Sequence, residues 1–168
     1  DANFGVLRHS KFKSSEDVTA QALKKLAALN AQNHSNFSLL LSYTLLLQQN
    51  QQHEAALAQL RQLKKFDTEP VDLAVLESRL LNQLARHQDA ADILEEALGA
   101  FPDERKLKVN YGKTLTYIDK QRAEVVYQEL LDDSPRDTQV LVAHSLVAAD
   151  NKHFDAAKRS LNTLTQSQ

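Results

Sequence analysis

The sequence predicts an all-α protein, a right-handed α-solenoid of about five helix–turn–helix repeats with nine or ten helices. Three observations carry that expectation: a small residue that recurs with a spacing of 33 or 34, an abundance of helix formers, and a scarcity of turn formers. Glycine and proline number only 3 each in 168 residues. That is too few for the tight turns of a hairpin-linked sheet. Leu, Ala and Gln are the commonest residues, and all lose little side-chain freedom in a helix. The 42% apolar content is enough for a packed core.

The recurring residue is alanine, at Ala22, Ala56, Ala90, Ala123 and Ala157. Four residues after each comes a large apolar side chain: Leu26, Leu60, Leu94, Tyr127 and Leu161. Seven after each stands Leu29, Leu63, Ala97, Leu130 or Leu164. Positions i, i+4 and i+7 share one stripe of a helix, so each unit contains the same amphipathic second helix. A first helix precedes it, near Phe37–Gln49, Asp72–Ala85, Arg105–Ile118 and Thr138–Ala149 in successive units. Polar turns separate the two helices at Gln49–Gln52, Arg86–Gln88, Asp119–Gln121 and Asp150–Lys152. Pro70, Pro102 and Pro135 punctuate the joints between units, where proline stops one helix and suits the start of the next. The first unit contributes a helix near Val18–Asn30. Residues 1–15 read as an irregular or frayed segment or a partial first helix, and 16–168 as the repeat domain.

A small residue opening the second helix, apolar residues four and seven later and a proline about twelve later resemble the tetratricopeptide repeat. The unit with Ala90, Leu94, Ala97 and Pro102 fits well, as does that with Tyr111, Gly112, Ala123, Tyr127, Leu130 and Pro135. The last matches through Ser145, Phe154, Ala157, Leu161 and Leu164. The motif's tryptophan is missing throughout. Gly112 is the one residue that supplies its glycine, with Ser78 and Ser145 taking that place elsewhere. The fourth unit is one residue short between Gly112 and Ala123.

The resemblance implies a protein-interaction scaffold whose first helices line a concave groove for a peptide. Its groove-facing positions transfer to Ser38, Ser42 and Gln49, then Arg79, Asn82 and Gln83. They continue with Asn110, Lys113 and Tyr117, and finally Gln139, Val142 and Leu146. The amides suit a peptide backbone, and Arg79 and Lys113 suit a carboxylate. The two-carboxylate clamp of chaperone-tail-binding relatives is not expected, because Leu41 and Leu45 stand where it needs polar groups.

Other classes of function lack support in the sequence. A net charge of −2 provides no basic stripe for nucleic acid. Without cysteine there is no disulfide, thiolate zinc site or cysteine nucleophile. No apolar run approaches the ~18 residues of a membrane span. The six histidines include no i, i+4 pair and no HExxH. His53, His87 and His153 are expected to sit exposed in the turns between helices. Glu95-Glu96 and Asp132-Asp133 are sequence neighbours that point to different sides of a helix. No enzyme activity, metal or cofactor is expected.

The absence of methionine and the start at Asp1 suggest a trimmed product, and the Gln-rich, cysteine-free composition leans towards a bacterial envelope. Two further readings are self-association through the last helices, where Leu146, Val147 and Leu161 have no obvious cover, and a substrate-recruiting domain of a larger assembly factor or protease.

Overall fold

The computed structural model describes residues 15–32, 36–66 and 68–166; the expectations for residues 1–14 lie outside them. Among the described residues there are nine α-helices and no strand. They are α1 (Ser15–Gln32), α2 (Phe37–Gln49), α3 (His53–Leu63), α4 (Pro70–Gln83), α5 (His87–Ala100), α6 (Arg105–Leu115), α7 (Lys120–Asp133), α8 (Thr138–Asp150) and α9 (Phe154–Gln166). Each helix packs on the next in the chain, and the first helices α4 and α6 of neighbouring hairpins also touch. The result is the expected helical-repeat solenoid, with α2/α3, α4/α5, α6/α7 and α8/α9 as successive hairpins.

The alanine register is the packing register. Ala56, Ala90 and Ala123 are completely buried, as are Leu60 and Leu94 four residues on, and Tyr127 is nearly so. A methyl group at the crossing lets two helices approach closely, and the larger residue one turn later fills the seam. The buried side chains form two clusters, one spanning α2–α5 and one α4–α8. Ile93 packs against both, so the core runs along the rod without a break.

Local chemistry sets the helix ends. Asn36, Asp119 and Asp137 cap α2, α7 and α8, their side-chain oxygens accepting from Leu39, Arg122 and Val140 N–H at 3.0, 3.0 and 3.1 Å. Pro70 occupies the first position of α4, so this helix starts two residues before the sequence pattern suggests. Three of the four hairpin turns are built alike. Gln51, Ala85 and Lys152 adopt positive φ of 59°, 57° and 66°. The following N–H groups of Gln52, Arg86 and His153 reach back to the carbonyls of Leu47, Leu81 and Ala148 at 2.9, 2.8 and 2.8 Å. This is the Schellman C-cap, which favours glycine at the left-handed position. None of the three is glycine. Ala85→Gly is therefore expected to stabilise the fold by about 0.5–1 kcal/mol, read as a higher urea midpoint at unchanged slope.

The α6–α7 turn departs from this pattern. It carries the one-residue deletion and contains no positive-φ residue. α6 ends at Leu115, earlier than Ile118, and Asp119 N–H closes the turn on Leu115 C=O at 2.7 Å.

At the far end, Leu161 is 50% exposed, although its counterparts Leu60, Leu94 and Tyr127 are 0–1% exposed. Leu146 and Phe154 are also exposed. Val147, expected on the uncovered face, is instead buried in the core.

Candidate functional site

The spacing of 34, 34 and 33 residues sorts the exposed positions of the first helices α2, α4, α6 and α8 into rows. One row is Ser38, Asp72, Lys106 and Gln139; another is Leu45, Arg79, Lys113 and Leu146; a third is Gln49, Gln83, Tyr117 and Asp150. All twelve residues are exposed. Between the first two rows run Leu41, Val75, Val109 and Val142.

The side chains of three of these helices come together in a trough of about 260 Å³. Leu41 and Leu45 from α2 and Val75 and Leu76 from α4 make its apolar walls, and Glu69, Asp72, Arg79 and Lys106 line its polar side. Lys106 is paired with Asp72 one repeat away. Neither Arg79 nor Lys113 forms an ion pair among the described residues. The trough therefore presents apolar walls, the Lys106–Asp72 pair, and Arg79 and Glu69, which form no ion pair among the described residues; Lys113 stands outside its lining, one repeat beyond Arg79. The sequence reading set Leu41 and Leu45 at clamp positions without counting them as lining residues, and it missed Val75 and Leu76; counting one repeat back from Arg79, or two from Lys113, leads to Leu45.

The structure places the remaining residues expected at the groove in three groups. Gln49, Gln83 and Gln139 are exposed on the rows described. Ser42 is exposed, and its hydroxyl donates to Ser38 C=O of its own helix at 2.8 Å. Asn82 and Asn110 are corrections to the reading that both are presented to a partner. Asn110 is buried and donates from Nδ2 to Lys106 C=O at 2.7 Å. It lies one position round the helix from the Val109 row, which turns it into the α4–α6 seam. Asn82 is half-buried and donates from Nδ2 to Thr114 Oγ1 at 2.8 Å. Its Oδ1 accepts from His87 Nδ1 at 2.9 Å. Thr114 in turn donates to Asn110 C=O at 3.0 Å.

His87 is not the exposed turn residue expected from the pattern. It opens α5, is half-buried, and stacks on Tyr117 with ring centroids 4.3 Å apart and planes 4° from parallel. His53 opens α3 in the same way and is also half-buried. His153 is exposed and binds Glu124 at 2.9 Å.

Other polar groups brace the seams. Tyr43, Glu77, Tyr111 and His144 occupy one repeat position in successive first helices. Glu77 is buried and pairs with Lys64. Burial, and then the hydrogen bond Tyr111 donates to Glu95, push its phenol up to about 12. That bond and Arg122, whose guanidinium donates to both groups, hold Glu95 below the usual carboxylate range. His144 shares a 2.8 Å hydrogen bond with Ser160, and burial lowers its pKa. These contacts tie the turn that follows α3 to α4, α5 to α6 and α7, and α8 to α9. Among the described residues no group of three or more acidic or histidine side chains is arranged to hold a metal.

No protein-family model matches the chain, and no curated protein matches it in sequence. Solved structures do match it in fold. The crystal structure of MamA superposes with a TM-score of 0.75 at 14% identity, covering 92% of this chain and 91% of that one. A tetratricopeptide repeat protein from Parabacteroides merdae gives 0.73 at 13% identity, over 92% of this chain and 59% of that one. YrrB, described as a TPR protein with an unusual peptide-binding site, gives 0.67 at 14% identity, over 90% and 78%. The chain has the tetratricopeptide-repeat fold.

Proposed function

We propose that this protein is a docking scaffold that receives an extended polypeptide segment along the face shared by α2, α4, α6 and α8. One observation carries the reading: the trough combines apolar walls with Arg79, a cation that has no ion-pair partner among the described residues. A solenoid that needed this face only for solubility would leave it polar, because apolar side chains held in water gain nothing from folding. Leu45, Val142 and Leu146 remain exposed there, and Leu41 is half-exposed. A bound segment would cover them while its backbone amides pair with Gln49, Gln83 and Gln139. The description of YrrB as carrying a peptide-binding site adds support from fold alone.

The test is to select peptides from a random displayed library and cross-link the winners through a photoreactive residue placed at Leu45 or at Val125. Val125 is exposed on the second helix α7, away from the trough. Cross-linking at position 45, and loss of binding in the Arg79→Glu, Lys113→Glu double variant, are the expected results. Cross-links confined to position 125, with binding unaffected by the charge reversal, would overturn the reading.

A second reading rests on the half-exposed Leu161 with Phe154 beside it on α9. A second copy packed on α9 would return Leu161 to the environment its counterparts already have. Sedimentation over a wide concentration range is decisive: self-association should appear and be weakened by Leu161→Glu, whereas a monomer throughout excludes it.

A further inference from the structure

We infer that Tyr117, stacked on His87, is a preformed platform that selects partner segments carrying an aromatic residue beside acidic ones; this rests on the docking face proposed above. The geometry begins with the deletion in the fourth repeat. The equivalents Gln49, Gln83 and Asp150 each end their helices, but Tyr117 lies beyond Leu115, the last residue of α6. The shortened turn carries its ring across to the preceding repeat, where His87 opens α5. One ring face is covered by the imidazole, yet the residue remains 66% exposed, so the opposite face is open to a ligand.

The platform is supported from beneath. His87 Nδ1–H donates to Asn82, Asn82 to Thr114, and Thr114 to the backbone of Asn110, at 2.9, 2.8 and 3.0 Å. The chain links α5, α4 and α6, so the imidazole cannot tilt without disturbing two helices. An ordinary surface tyrosine pivots freely about its first side-chain bond. This one is held in place before a partner arrives, and preorganisation lowers the entropy lost on binding.

The surroundings define the ligand. Rings pair face to face in offset stacks, and a third ring continues the His87–Tyr117 stack in a way an aliphatic side chain does not. Lys113 stands one helical turn before Tyr117, and Arg79 one repeat before Lys113, both without an ion-pair partner among the described residues. A cationic side chain approaching the ring would meet these like charges, and a carboxylate would be attracted to them. Asp150, the acidic residue of the same row, is already paired with Lys120 at 2.6 Å.

The probe is a blocked, dye-labelled octapeptide with two adjacent glutamates followed by phenylalanine, read by fluorescence anisotropy. Exchange of its phenylalanine for alanine, or Tyr117→Ala in the protein, should each weaken binding by about tenfold. Tyr117→Phe should bind as wild type, because the ring and not the hydroxyl makes the contact. His87→Ala should weaken binding several-fold, and His87→Phe, which keeps a stacked ring but cannot donate to Asn82, should recover part of the loss, which a role for His87 confined to that hydrogen bond would not produce. Exchange of the glutamates for glutamines should weaken binding and flatten its salt dependence. Melting temperatures should be unaffected by Tyr117→Ala, given the exposure of the side chain.

The inference is overturned if the octapeptide shows no saturable binding, if the alanine version binds equally well, or if Tyr117→Ala has no effect. Where selected peptides still cross-link at position 45 while Tyr117→Ala is neutral, the platform is wrong and the docking face stands. Cross-linking confined to position 125 removes both.

Discussion

Gly112→Ser is expected to destabilise the array by about 1–3 kcal/mol, although serine is the better helix former and occupies this position in two other repeats. A Cβ at residue 112 would lie 2.8 Å from Cε1 of Tyr127, with two further ring atoms at 3.1 and 3.2 Å. The ring is about 1% exposed and is held on every side, so it cannot move aside cheaply. The equivalent hairpins pair Thr44 with Leu60, Ser78 with Leu94 and Ser145 with Leu161. There the small hydroxyls donate to carbonyls of their own helix, at 2.8, 2.9 and 2.8 Å. The fourth repeat exchanges volume across the crossing: it loses a side chain on α6 and gains a ring on α7. The decisive measurement is a double-mutant cycle by urea unfolding. Tyr127→Leu should also destabilise, by leaving a gap above Gly112. The double variant Gly112→Ser, Tyr127→Leu should recover to within about 1 kcal/mol of wild type, because the two changes restore the pairing of the other hairpins. Strict additivity of the two single effects would show that the contact is not the cause.

Ala90→Leu is expected to cost a similar amount, about 1–3 kcal/mol, by forcing α4 and α5 apart at their crossing. Ala90 is completely buried in the cluster containing Leu73, Leu76, Leu80 and Leu81. No space exists there for three further carbons. Ala58→Leu provides the control, since Ala58 is exposed on α3 and the same change should stay within about 0.5 kcal/mol. Because a repeat array transmits stability chiefly between nearest neighbours, the damage should be local. Hydrogen exchange should accelerate most in α4 and α5 and least in α8 and α9. An unchanged melting temperature for Ala90→Leu would remove the alanine register as the basis of the packing.

The sequence bears unequally on the parts of the proposed site. Arg79 and Lys113 are exposed as anticipated, because a fixed repeat carries one exposed helical position faithfully from unit to unit. Asn82 and Asn110 were legible as polar residues of first helices, but not as members of an internal chain of hydrogen bonds. Which neighbour an amide meets depends on the rotation of one helix against another, and a one-position change of about 100° moves a side chain from surface to seam. The stack of Tyr117 on His87 was illegible for a related reason. It joins residues from different hairpins, and the conformation of a shortened turn brings them together.

The spacing of alanines and leucines by itself determined the hairpin unit, its repetition and the residues that fill the seams. These follow from helical periodicity and from the need of each hairpin to bury an apolar face against its neighbour. The tertiary structure decided what the hairpins present when stacked: the trough between α2, α4 and α6, the pairing of Lys106 with Asp72, and the imidazole beneath Tyr117. Those contacts join residues about a repeat apart through the angle and offset at which hairpins stack, quantities set by the packing of all the seam side chains together and written in no single stretch of sequence.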